Sequence, residues 1–230
     1  MYNSEIKKEL KSIFIGEACL SAGFGLSALG MLLMYMMGRG LNDASSFVGA
    51  DMISSALITV SAVLSVIAIF FIAKGCLSAG KKEPLFNSSL ICFAISITAA
   101  FAEPMLRDLG VIQASAASVA HLVFAAGGVI LGAKGVAALS ENDGDKVLAA
   151  ISRSIVRPVC SLSSAAVLMT FSAALMETVS AQFSTAIIVS IVASFIYAAI
   201  CDIYASVLAK ASKEENAVLF TEALRFSFQG

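Results

Sequence analysis

Six long apolar runs, at residues 12–37, 52–79, 85–103, 111–139, 158–176 and 183–209, constrain this chain more than any other feature of its 230 residues. A helix needs about 20 mostly apolar residues to cross a hydrocarbon core roughly 30 Å thick. No water reaches that core, so a run lying in it must close its backbone hydrogen bonds internally, as a helix. The period-two alternation of an outer-membrane barrel is missing. Composition agrees: 59% of residues are apolar and 13% charged, with a mean hydropathy of +0.91. Soluble domains run at roughly 45–50% and about 25%. The expected fold is all-α: a polytopic membrane protein with six transmembrane helices in a compact bundle.

That arithmetic excludes a soluble enzyme, a secreted disulfide scaffold and a disordered tail. Nucleic acid is not an expected partner, because the net charge is −1 and no basic stripe is available for phosphates. The expected partners are the lipid bilayer and either a second copy of the chain or other membrane subunits. Of 15 Lys and Arg residues, only Arg39 and Arg107 fall in the loops of one side. By the positive-inside rule this puts both termini in the cytoplasm of a multi-pass protein of the plasma (inner) membrane. No cleavable signal is evident. Residues 1–11 form a short cytoplasmic segment, in which 4–10 read as a short charged helix, and 12–209 form the transmembrane domain. Residues 210–230 form a cytoplasmic tail. There Ala217, Phe220, Leu224 and Phe228 share one helical face, so the tail is either an interfacial amphipathic helix or a disordered end.

Ala73-Lys74-Gly75 recurs as Ala133-Lys134-Gly135, and 98–103 resembles 172–177. These matches fit three helical hairpins repeated in one orientation; chance within a small apolar alphabet fits them too. Small residues say more, because helices in lipid associate by close packing of Gly, Ala and Ser. In the fourth run His121, Ala125, Gly128, Gly132 and Gly135 share a face, and in the first Gly16, Gly23, Ser27, Gly30 and Met34 do. Gly128, Gly132 and Gly135 are expected to be packing positions.

An ionisable side chain within a span is costly, and so a candidate for function. His121 lies about 15 Å into the fourth run at ~1.5 Å per residue, near the midplane. It is read either as a proton relay, a substrate contact or a metal ligand, or as a neutral imidazole bonded to a Ser or a carbonyl on a neighbouring helix. Glu17 and Asp202 lie in the inner thirds of the first and sixth runs, with Lys74 and Lys134 at similar depth. These four either form inner-boundary ion pairs or line an inner gate. Glu103 and Glu177 occupy matching outer ends of the third and fifth runs, where acid would concentrate cations. Pro104 is expected to end its helix.

Methionines other than Met1 gather towards the outer half and the five cysteines towards the inner, a pattern that would suit a soft metal. No Cys-x-x-Cys or His-rich tract supports such a site, so no metal, cofactor or disulfide is expected. Gly-x-Ser-x-Gly, His-Glu-x-x-His and a phosphate-binding glycine loop are all absent, so an enzyme is not the expected class and no residue is assigned a catalytic role. The reading is a transporter or channel for a small solute or ion, secondary and not ATP-driven by itself. Its path would run from Glu103 and Glu177 past His121 to Glu17 and Asp202. The alternative is a non-catalytic subunit of a larger membrane complex, with the polar groups structural.

Overall fold

The computed structural model describes residues 4–40, 44–107, 111–180 and 183–212. Among them the chain is all-helical: α1 Ser4–Gly40, α2 Ala44–Ala79, α3 Leu85–Arg107, α4 Val111–Asn142, α5 Lys146–Ser154, α6 Val156–Ser180 and α7 Phe183–Ser212. Six helices are long and apolar enough to cross a membrane. The short charged helix expected at 4–10, leading into the first span, is the first part of a continuous α1. Residues 213–230, with the proposed amphipathic tail, lie outside the described residues.

α1 packs along α2 on one side and α7 on the other, and α3 packs along α4. α4 also touches α5, α6 and α7, and 56% of its spanning window is buried inside the protein, against 11% for α2. α4 is therefore the central helix, and α2 leaves most of its surface to the surroundings.

Close approach of backbones sets the α1–α2 pairing. Gly30 faces the Ser54 carbonyl, Gly23 that of Ser61 and Gly16 that of Ala68; Gly75 in turn faces the Glu9 carbonyl. Every step of seven residues along α1 is matched by a step of seven in the opposite direction along α2. A strict seven-residue repeat keeps one seam facing its partner only if the pair winds left-handedly. Carbonyls across the seam are then in reach of short hydroxyls: Ser54 Oγ donates to Gly30 O at 2.8 Å and Ser12 Oγ to Phe71 O at 3.0 Å.

The α3–α4 seam uses the same period with different shapes. Phe86 lies against Gly135 and Phe93 against Gly128, ring into glycine gap, and Ser89 Oγ between them donates to Gly128 O at 2.7 Å. Each such interhelical bond is worth about 0.6–2 kcal/mol in a membrane.

Two local features depart from the sequence expectation. α3 runs through Pro104 to Arg107, so that proline does not end the helix. The segment between the fourth and fifth runs holds a further helix, α5. α4 stops because Gly144, at φ +79°, turns left-handed. Gly144 N–H then bonds Glu141 O and Asp145 N–H bonds Ser140 O, closing the orphaned last carbonyls. Asp145 caps the next helix through Leu148 N–H at 3.0 Å. α5 buries Leu148, Ala149 and Ser152, and its Arg153 meets Glu141 of α4 at 2.5 Å on the surface. Pro158 sits in the first turn of α6, where no helical N–H is required.

The seam geometry gives a graded test. A Cβ at Gly16 would stand 2.6 Å from Ile72 Cγ1 and 2.9 Å from the Ala68 carbonyl, whereas one at Gly25 meets nothing within 4 Å. Gly16→Val is expected to lower stability by roughly 1–3 kcal/mol, and Gly25→Ala to change it by less than about 0.5 kcal/mol. Denaturant titration in micelles, followed by circular dichroism, reads both; equal effects would contradict this seam.

Candidate functional site

Rotation along α1 separates its two jobs. Gly16, Gly23 and Gly30 face α2, while Glu17, Ser21 and Phe24 fall at i, i+4 and i+7 on the face turned to α7. Ser21 Oγ donates to Ala198 O of α7 at 3.1 Å, and Phe24 meets the Tyr197 ring at a centroid distance of 5.1 Å. Glu17 must therefore enter the interior. It is 0% exposed, and among the described residues neither carboxyl oxygen has a well-formed hydrogen bond, the Cys201 thiol being the nearby donor.

The groups around Glu17 come from two other helices. The Cys201 thiol of α7 stands beside the carboxyl, and the Cys76 thiol of α2 and the Tyr204 phenol of α7 are within its electrostatic reach. Cys76, Cys201 and Tyr204 are buried, Tyr204 at 0% exposure. The Tyr204 ring reaches α4 because Gly132 has no side chain: any Cβ there would strike the phenol oxygen, with Ser89 Oγ 3.3 Å away. The Tyr204 hydroxyl also lacks a hydrogen-bond partner. An unpaired buried hydroxyl costs about 1–3 kcal/mol, and a buried carboxylate far more.

His121 lies in a second layer, at the level of Tyr197. Seven residues separate Tyr197 from Tyr204, so the layers are about 10 Å apart at ~1.5 Å per residue. The imidazole bridges α3 and α4. Its Nδ1 lies 2.8 Å from Ser96 Oγ and 3.1 Å from Ser96 O, and Ser96 Oγ lies 3.1 Å from His121 O. One hydrogen assignment satisfies the set: Nδ1–H donates to the Ser96 carbonyl and the Ser96 hydroxyl donates to the His121 carbonyl. The ring stacks on Tyr197 at a centroid distance of 5.2 Å and 24°. His121 is thus part of the joint between α3 and α4, and its Nε2 is left to accept.

The remaining acids and bases are dispersed. Asp202 is half-buried beside Cys201 in sequence, and its charge reaches that thiol. Glu103 is half-buried near the end of α3, within electrostatic reach of His121. Lys74 and Lys134 are exposed. The Glu177 side chain lies outside the described residues. Among the described residues no group of three His, Cys, Asp or Glu side chains is placed to hold a metal ion.

The structure thus adds Tyr204, Tyr197 and Ser96 to the residues singled out from sequence, and places two of the five inner cysteines, Cys76 and Cys201, around Glu17. Two tyrosines seven apart in an apolar run were the available sign for the first pair. No protein-family model, curated protein or solved structure matches the chain.

Two substitutions of similar size should act oppositely on stability. Ser96→Ala strips the hydroxyl that serves His121 and is expected to cost about 1–2 kcal/mol. Tyr204→Phe removes a hydroxyl with no partner and is expected to be neutral or stabilising. Thermal unfolding in micelles measures both, and a large loss in Tyr204→Phe would mean that its hydroxyl is paired.

Proposed function

We propose that this protein is a transporter or channel for a small solute or ion, secondary in its energetics. It would lie in the plasma (inner) membrane with both termini cytoplasmic, its six spans closed into a compact bundle of helical hairpins. The observation that carries the reading is Glu17: a carboxyl at 0% exposure, within a span, with neither oxygen in a well-formed hydrogen bond among the described residues. A side chain that only holds helices together is selected for paired polar atoms, as the Ser96 hydroxyl and the His121 Nδ1 are. An unpaired acid at that depth has its partner outside the resting fold, in something that arrives. The path runs from Glu103 and Glu177 past the His121 layer to Glu17 and Asp202, and the exposed Lys74 and Lys134 mark its cytoplasmic end.

Light-scattering by proteoliposomes tests this. Vesicles carrying the protein are shifted into iso-osmotic NaCl, KCl, urea or glycerol, with an ionophore present to relieve charge build-up. At least one of these should swell the vesicles faster than protein-free controls, and Glu17→Gln should bring the rate back to the control. Control rates in all four would overturn the reading. Native mass spectrometry of gently extracted protein supplies the second check: a stoichiometric foreign subunit would replace the transport reading with that of a complex component.

A further inference from the structure

We propose that Glu17 is a reversible proton-binding site, a neutral carboxylic acid in the packed state described here, and that H⁺ is the ion the protein couples to; this rests on the transport reading above. Three observations carry it. The first is the weakness of compensation: an ionised carboxylate at 0% exposure, with no geometrically formed hydrogen bond among the described residues and only the weak Cys201 thiol donor beside it, is far too costly, and a proton on one oxygen removes the charge without needing any other ligand.

The second is the donor set. A metal cation such as Na⁺ or Mg²⁺ requires several oxygens around it. In membrane transporters these commonly include carbonyls of unwound helix. Around Glu17, α1, α2 and α7 run unbroken, so their carbonyls are committed to the helical ladder. The titratable groups facing the carboxyl are Cys76 from α2 and Cys201 and Tyr204 from α7, two thiols and a phenol. Among the described residues no basic side chain contributes to the electrostatics of the carboxyl, and Lys74 and Lys134, on α2 and α4, are exposed. That set can donate weak hydrogen bonds to a newly formed carboxylate, and it cannot build a cation shell.

The third is a route out. Asp202 follows Cys201 on α7 and is half-buried, and its charge reaches the thiol beside Glu17. The seam behind Glu17 sets Gly16 against the Ala68 carbonyl and the Ile72 side chain. The step balances simply: a proton from water adds to one carboxylate oxygen on entry, and on release it returns to water by way of the Asp202 carboxylate.

Infrared difference spectroscopy on the full chain in lipid vesicles decides the matter, with pD as the variable and Na⁺ or K⁺ as competing probes. In the wild type a protonated-carboxyl C=O band is expected that moves down in D₂O, gives way to carboxylate bands as pD rises, and returns when pD is lowered. It should be wholly lost in Glu17→Gln and unchanged by Na⁺ or K⁺ at fixed pD. Glu17→Gln removes the charge and keeps the shape, so its circular dichroism should match the wild type; Glu17→Asp, which retains an acid, should keep a titrating band. A carboxylate at every pD, a carboxyl band that never titrates, or a band abolished by Na⁺ would each overturn the proposal. A titrating Glu17 in vesicles that show no swelling removes the transport reading and leaves the proton site standing; swelling with Glu17 ionised throughout does the reverse.

Discussion

The distance to which two helix backbones can approach is the constraint on which everything else in this structure rests. Lipid tails are as apolar as leucine, so helices in a membrane gain little by hiding apolar side chains from their surroundings. What holds them is dense contact and bonds across the seam, and both need small residues in register. α1 and α2 meet on Gly16, Gly23 and Gly30 against Ala68, Ser61 and Ser54. α3 and α4 meet by setting Phe86 and Phe93 into the gaps at Gly135 and Gly128. The first seam is small against small, the second large against none, and both repeat every seven residues. The common period gives the two pairs one handedness although their residue types differ.

Those seams also decide where polar groups can stand. A residue next in sequence to a seam glycine points about 100° away, into the next helix, which is how Glu17 is aimed at α7 by Gly16. Gly132 does the corresponding work on α4, since the Tyr204 ring occupies the volume that any side chain at 132 would take. The polar layer around Glu17 is therefore a consequence of packing choices made on α1 and α4, and a change at either glycine would move the polar groups as well as the helices.

The spans were legible because length and hydropathy are local properties of the chain, and Met52–Ala79 and Leu85–Glu103 emerge with the bounds read from sequence. The glycine faces of α1 and α4 were legible as stripes. Their partners were not: Ser54, Ser61, Ala68 and Gly75 share only their spacing and small size, and nothing says which stripe meets which until the chain is folded. α5 escaped notice because nine residues carrying Lys146 and Arg153 read as a loop, although Gly144 and Asp145 hold the stop and start signals. At the site, ionisable side chains stood out against apolar runs, while Tyr204, Tyr197 and Ser96 are neutral and acquire significance only through what they touch.

His121 and Glu17 show why depth in the membrane is a poor guide to role. Sequence ranks His121 first, since it is the sole histidine and lies furthest from either surface. Yet its Nδ1 and carbonyl are engaged by one serine and its ring by one tyrosine, so much of its energetic cost is met inside the fold. Glu17 lies nearer the end of its helix and buries two oxygens that have no well-formed hydrogen bond among the described residues, with only the Cys201 thiol beside them. A buried group whose hydrogen bonds are complete stabilises the state it sits in, and a proton or ligand taken up there must first break them. A buried group whose bonds are missing makes that state conditional on something further. By that criterion the proposed function is placed at the Glu17 layer, while His121 and Ser96 belong to the joint between α3 and α4.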